Sequence, residues 1–544
     1  MSAIGFSSPW QSGFSWRAYA LLLCALAALF YAPLSDHLLD THDADYWADS
    51  ARIVSDPAAF FAVDKRMPGR PFFELFLLIE YALWGENPRL FHWAGIGLHA
   101  LAAWVVAFCS WRLWGRRLLA QLAGGLFVCS CAPFQAVQWI SAHCYSLALI
   151  CMGLCLWGFV ECAERDRPRA GLGSVVALLA GVLTHISAVT VVPFALWVVH
   201  RRGALSGLTL FRGLAMGGGA LALVFAIKSY YTGAPQNTIA ATGFDGMAAA
   251  KTYLFLWGRL LLSTFWMPAR PDLVAVGEPA VGAVACCLGA WILLRYRGEG
   301  AFALAWIALA LLPILSLAPE YVRSISAGPS RYLYISCVGM AFVWAMLLLD
   351  MEKRLRHRWN ARLSAWCLAG AVAVLALSGW SGVQRAEAVA YYNEGRNYLA
   401  AGDIERGIEQ LERALEIEGG TIDREDVYVR LCPMLLNQGR SVHEPLGNAR
   451  ALYPRNVMLH IYDQVVLSID GDAAALAHLE KFKGNKSVGK VIAEAYHHAG
   501  RGAYRRADYA ESVAALSRAL AFDASRSDTR QSLRAAQVAL RDPQ

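Results

Sequence analysis

Apolar segments recur along roughly the first 380 residues of this 544-residue chain, and no other feature restricts its fold as tightly. A hydrocarbon core of about 30 Å is crossed by roughly 20 apolar residues in a helix. A helix also satisfies its own backbone where no water is present. Suitable intervals run 18–34, 90–110, 118–133, 142–160, 171–183, 186–200, 213–231, 279–295, 301–318, 331–349 and 362–380, about eleven in all. The chain is 57% apolar and 17% charged, a membrane composition. The predicted class is all-α, with a polytopic membrane domain over 1–383 and a second helical domain over 384–544. Arg17 is the one cationic residue among residues 1–17, so helix 18–34 is expected to remain as an anchor.

Orientation follows from lysine and arginine in the short loops, which favour the cytoplasmic side. Five loops are basic: Arg112/Arg116/Arg117, Arg165/Arg167/Arg169, Arg201/Arg202/Arg212, Arg295/Arg297, and Lys353/Arg354/Arg356/Arg358/Arg362. If all five share one side, an even number of crossings separates each from the next. Segment 72–84, with Glu74 and Glu80, then lies at the outer surface. Segment 171–200 becomes a hairpin whose tip, Thr184-His185, points outward into a cavity. Segment 250–267, with Arg259 in its middle, becomes a half-inserted helix in an outer loop 232–278. The N-terminus is cytoplasmic, and the acidic loop 35–71 and everything after 380 lie outside. The net charge of +7 resides in the cytoplasmic loops and implies no nucleic-acid partner.

The acidic loop carries Asp40-Thr41-His42-Asp43-Ala44-Asp45-Tyr46-Trp47. Carboxylates crowded beside a bilayer must be solvated, paired or used, and acids in that position are functional candidates. A solvated outer loop is the plain alternative. His92 and His99 stand seven apart and share one helix face, either packed in the core or lining a cavity. The turn 133–143 offers Gln135, Gln138, Ser141 and His143 as hydrogen-bonding groups. Arg331, ahead of Tyr332 and Tyr334, either snorkels to lipid headgroups or clamps a phosphate with its guanidinium fork. Arg70 is a second arginine of this kind.

Beyond residue 380 the long apolar runs give way to short amphipathic ones. Gly402, Gly439, Gly471 and Ala507 mark turns that step by 37, 32 and 36 residues. A period near 34 is the tetratricopeptide signature, paired helices stacked as an α-solenoid. About four such repeats are expected over 384–544, with a capping helix near 526–541. Of thirteen cysteines only Cys432 falls there, so no disulfide framework is expected.

Taken together the residues resemble the GT-C superfamily of polytopic glycosyltransferases, nearest the transmembrane-and-tetratricopeptide group related to protein O-mannosyltransferases. The resemblance rests on the acidic first outer loop; Gly69-Arg70-Pro71; Gly85-Glu86-Asn87-Pro88 with Phe91-His92 to His99; Pro133 through His143; Leu183-Thr184-His185-Ile186-Ser187; Arg331-Tyr332-Leu333-Tyr334; and the C-terminal repeats. It implies inverting transfer of a sugar from a polyprenyl-phosphate-linked donor to a protein or glycan acceptor on the non-cytoplasmic face. Asp43, with Asp45 as a second carboxylate, takes the role of base. Arg70 and Arg331 take the donor phosphate. His143 or His185 would help bind phosphate or sugar, and His42, His92, His99, Tyr332 and Tyr334 complete a substrate cavity. No cofactor is required by this resemblance. Where the family often has adjacent acids, this chain has Asp-x-Asp after His42, which leaves open a magnesium or manganese ion on His42, Asp43 and Asp45. The hairpin tip, usually Lys-Glu in the repeat-bearing group, is His185-Ile186, and the turn after Pro133 ends in His143 in place of arginine.

Two other readings stand beside it. A non-catalytic membrane scaffold would recruit envelope-assembly or glycan-assembly partners through its repeats. A transporter would place paired charges mid-membrane and repeat its spans, whereas the acids here cluster in a loop. The chain ends Arg541-Asp542-Pro543-Gln544 with no retention signal, so a bacterial inner membrane with a periplasmic repeat domain is the expected location.

Overall fold

The computed structural model describes residues 15–37, 43–232, 245–265, 271–316, 331–419 and 422–542. It is 85% helical, and among the described residues there is no strand. The chain divides into two compact units, Met1–Ala390 with Glu418–Thr421, and Tyr391–Ile417 with Ile422–Gln544. The division falls inside the helix Ala361–Ala400, seven residues beyond the expected boundary at 383.

The first unit contains α1 (Trp16–Tyr31), α2 (Asp43–Ser55), α3 (Pro71–Trp84), α4 (Pro88–Trp114), α5 (Arg117–Val128), α6 (Phe134–Gln138), α7 (His143–Arg165) and α8 (Pro168–Thr184). It continues through α9 (Val191–Arg201), α10 (Gly207–Thr232), α11 (Gly246–Ser263), α12 (Pro271–Arg295), α13 (Glu299–Leu311), α14 (Tyr334–Arg358) and the first part of α15 (Ala361–Ala400). Six stretches among the described residues are long and apolar enough to cross a membrane: Trp16–Asp36, Pro88–Trp114, Ile140–Arg165, Gly207–Tyr231, Arg331–Arg358 and Ala361–Ala400. They mark the chain as a membrane protein.

The long central helix α4 packs against α1, α5 and α7. Helix α5 has only 12 residues, about 18 Å at 1.5 Å per residue, shorter than a hydrocarbon core. Tyrosines from α1 occupy carbonyls around it. Tyr19 donates to the Gln121 carbonyl at 2.6 Å and Tyr31 to the Ser130 carbonyl at 2.9 Å. Both hydroxyls are buried and find acceptors there, joining α1 to α5 and to the residues just after it. Helices α13 and α14 approach closely because residue 339 is glycine: a Cβ there would stand 2.6 Å from the Ala303 carbonyl. The Trp306 indole donates across the same seam to the Ile335 carbonyl at 2.7 Å.

Two elements differ from, or sharpen, the sequence reading. The acidic stretch expected as a loop is helical from Asp43 to Ser55. Tyr46, Asp49, Ser50 and Ile53 turn inward at helical spacing, and acids in the first turn suit the positive end of a helix dipole. Helix α3, begun by Pro71, is apolar on its outside and buries two acids, with Phe73 and Leu77, on its inside. Leu75, Ile79 and Leu83 are exposed, whereas Glu74 and Glu80 are only 6% and 3% exposed. Such an arrangement is unfavourable in water and suits a helix whose outer face meets lipid.

The second unit holds the end of α15, then α16 (Ile404–Glu416), α17 (Arg424–Gln438), α18 (His443–Leu452), α19 (Val457–Ile469), α20 (Ala473–Glu480), α21 (Lys486–Arg505), α22 (Tyr509–Phe522) and α23 (Ser527–Arg541). Gly402, Gly439, Gly471 and Ala507 all take positive φ, from 63° to 98°. Each ends a helix in the left-handed conformation that glycine tolerates best. The next helix then starts on a polar cap: Asp403, Asp472 and Asp508 accept from backbone amides of their own first turns. At Gly502, α21 passes so near α17 that a Cβ would collide with the Leu436 carbonyl.

Candidate functional site

A cavity of about 480 Å³ opens within the first unit. Its wall includes Tyr46 of α2, Arg70 ahead of α3, Trp139 and Ser141 of the turn after α6, Tyr145 of α7, His185 at the α8–α9 turn, Lys228 of α10, and Arg331 and Tyr332 ahead of α14. Segments far apart in sequence thus bring two guanidiniums, an ammonium and an imidazole to one chamber. No carboxylate stands among the described lining residues.

Arg331 is seated by aromatic rings. Its guanidinium carbon lies 4.5 Å from the Trp139 ring centre and 4.8 Å from that of Tyr332. Its Nη2 donates to the Tyr332 hydroxyl at 3.2 Å, and its backbone N–H donates to the Gln135 side-chain oxygen at 3.2 Å. A cation over π faces keeps its charge while its planar edge is steered. Arg70 is fixed through its backbone, whose N–H donates to Glu74 Oε1 at 2.8 Å. The other Glu74 oxygen pairs with buried Lys65. Lys65 also donates to the Phe60 carbonyl at 2.7 Å and to the Tyr231 hydroxyl at 3.3 Å. Glu74 and Lys65 therefore tie the Arg70 backbone to the end of α10, three residues after Lys228. The Arg70 side chain reaches Cys144 Sγ at 3.4 Å. His185 lies tilted against Tyr145 with ring centres 4.3 Å apart, and its Nδ1 accepts from the Ser187 amide at 3.3 Å.

The carboxylates lie differently. Asp43 is fully buried. Its Oδ1 accepts from the Ser141 amide at 2.7 Å and its Oδ2 from the Ile140 amide at 3.3 Å. It stands behind the Ser141 wall and bolts α2 to the turn that carries Trp139. Asp45 turns to Arg66 at 3.3 Å. Asp49 accepts from the Arg66 and Met67 amides at 3.1 and 3.0 Å, folding the loop before Arg70 back onto α2. Asp43 thus meets the amides of the turn after α6, and Asp45 meets an arginine. Among the described residues no cluster of three or more metal-ligating side chains forms, and His42 lies outside them.

Of the remaining residues singled out from sequence, His185 and Tyr332 line the chamber with Arg70 and Arg331. His92, His99, His143 and Tyr334 are buried away from that lining. His99 Nδ1 and Ser146 Oγ both meet the Tyr334 hydroxyl, at 2.9 and 2.8 Å, a polar knot between α4, α7 and α14. His143 packs over Gly95, where any Cβ would strike its ring. Sequence reasoning missed Lys228, Tyr145 and the seat formed by Trp139. A lone lysine in an apolar span was the available signal for the first; nothing local marks the other two.

Fold and site together define an all-helical membrane protein with a cation-lined chamber. No protein-family model, curated protein or solved structure matches the chain.

Proposed function

We propose that the chain is an integral membrane glycosyltransferase of GT-C type, moving a sugar from a polyprenyl-phosphate-linked donor to a protein or glycan acceptor on the non-cytoplasmic face. One observation carries this reading: Arg70 and Arg331, 261 positions apart in sequence, line the same cavity with Lys228 between apolar helices. Guanidinium groups match phosphate oxygens in geometry and charge. In the proposed reaction the acceptor oxygen attacks the anomeric carbon as the bond to the donor phosphate oxygen breaks. The acceptor proton passes to a carboxylate, and the departing polyprenyl phosphate gains charge that Arg70 and Arg331 stabilise. Asp43 is the base in this scheme. It is held by the Ile140 and Ser141 amides, and Ser141 lines the chamber. Asp45, held by Arg66, is the weaker candidate. No metal enters the scheme.

The reading carries further proposals. There would be about eleven crossings, the N-terminus cytoplasmic and the second unit outside, in a bacterial inner membrane. Six of the eleven intervals fall on helices long and apolar enough to cross, which supports a polytopic domain, and the other five fall on shorter apolar helices. The second unit would be a tetratricopeptide-like solenoid that guides a protein partner, a reading supported by its helical turns near a period of 34.

The test is transfer from a labelled polyprenyl-phosphate sugar by purified protein. Arg70→Ala, Arg331→Ala and Asp43→Asn should each abolish turnover while the protein stays folded. Full activity in both Asp43→Asn and Asp45→Asn would defeat the assignment. One observation favours a second reading, a non-catalytic scaffold that binds lipid phosphate: both first-turn aspartates are already committed to protein groups. Arginine-dependent donor binding without turnover would select it.

A further inference from the structure

A second recess lies in the other unit, formed wholly by α21, α22 and α23. It holds about 320 Å³ and is lined by Arg501, Tyr504, Arg505, Leu516, Ser532 and Ala535. Arg501 and Arg505 stand one turn apart on α21 and leave the same face, a spacing at which like charges repel. Burial first, and Arg501 second, hold the Arg505 guanidinium below its ordinary value, with Glu405 acting in the opposite direction. Neighbouring arginines have direct carboxylate partners: Arg506 pairs with Glu511 at 2.8 Å and Arg526 with Asp528 at 2.9 Å. Arg505 instead donates to neutral acceptors, the Asn437 carbonyl at 2.8 Å and the Gln438 side-chain oxygen. Arg501 is exposed and enters no ion pair among the described residues. Leu516 and Ala535 give the recess apolar surface, and Tyr504 is 40% exposed beside it.

We infer that this recess binds an acidic peptide segment in extended conformation, each arginine receiving one carboxylate. The spacing supports this. Side chains one helical turn apart have β carbons about 5–6 Å apart, and every second side chain of an extended peptide falls on one face about 6.6 Å from the last. An acid-x-acid segment therefore presents side chains at close to the interval of the two arginine β carbons, and guanidinium–carboxylate pairs favour a bidentate fit. A lipid headgroup would meet arginines on an open face, whereas these border a recess with apolar sides. The inference rests on the second unit alone and is independent of glycosyl transfer.

The test uses full-length protein in neutral detergent micelles and a fluorescent peptide of alternating glutamate and glycine, followed by anisotropy. The glutamate peptide should bind, should weaken as salt is raised, and should bind at least about tenfold more tightly than its glutamine counterpart. Arg501→Glu, which disturbs no internal ion pair, should remove that preference, and Arg501→Lys should retain part of it. Equal binding of the two peptides overturns the proposal, as does a preference that survives Arg501→Glu. Arg501-dependent capture on phosphatidylglycerol vesicles without peptide binding also overturns it, in favour of a headgroup site.

Discussion

Arg331 is the residue on which the chamber most depends, and its neighbours show how aromatic faces and a backbone hydrogen bond position a charge in a membrane protein. Trp139 and Tyr332 supply π faces and Gln135 fixes the backbone. Trp139→Ala should weaken affinity for a short-chain lipid phosphate about tenfold, and Trp139→Phe should retain most of it, as measured by calorimetry. Arg70 and Arg331 were legible in the sequence because each precedes an apolar helix, where a phosphate clamp is chemically reasonable. Lys228 was not, since a lysine near the end of an apolar span reads equally well as one that snorkels. His99 and Tyr334 show the opposite failure. Spacing placed His92 and His99 on one helix face, but no local pattern tells whether that face meets a cavity or a tyrosine from a helix more than 200 residues away.

Among the elements, α3 shows best what packing adds to pattern. Its 14 residues read as an outer-surface helix, yet Glu74 faces inward and pairs with Lys65. Removing one partner of a buried pair leaves an uncompensated charge and typically costs about 3–5 kcal/mol, whereas replacing both is far milder. Lys65→Met should therefore lower the thermal midpoint markedly, and Lys65→Met with Glu74→Leu should recover most of it. The double variant should still bind lipid phosphate poorly, because the Arg70 amide loses its acceptor. In the second unit, α21 and α23 meet where His497 Nδ1 lies 2.9 Å from Thr529 Oγ1. Burial pushes the His497 imidazole down to about 4. An unfolded chain takes up that proton near 6.5, so stability from this group is complete above that pH and is lost as pH falls from about 6.5 to 4. Hydrogen exchange in Lys486–Arg505, corrected for intrinsic rates, should show protection declining through that window, and His497→Gln should flatten the decline. The turns of this unit were readable because glycine marks most of them. The helix within the acidic stretch was not, because its inward face is partly polar and satisfies loop amides that lie close only in the folded chain.

For the whole molecule, the proposed sidedness is the most exposed claim. Reporter fusions after Arg202 should read cytoplasmic, and fusions at the C-terminus should read outside; a shared side would overturn the topology on which the proposed function depends. The helical class and the long apolar helices were legible because periodicity and length are local properties. The chamber was legible only in fragments. It is assembled from six or more segments, and their convergence depends on small residues at crossings, such as Gly95 beneath His143 and Gly339 against Ala303. These contacts leave no trace in composition.

One consequence follows from the way Asp43 is gripped. A carboxylate that receives two amide hydrogens holds both less firmly once it takes up a proton, because a neutral acid is the weaker acceptor. Proton uptake at residue 43 would then slacken the turn beginning at Trp139, and with it the aromatic seat of Arg331. In the proposed reaction, chemistry at the acid and the hold on the phosphate would be mechanically linked, and the departing group would be released by the same event that neutralises the base.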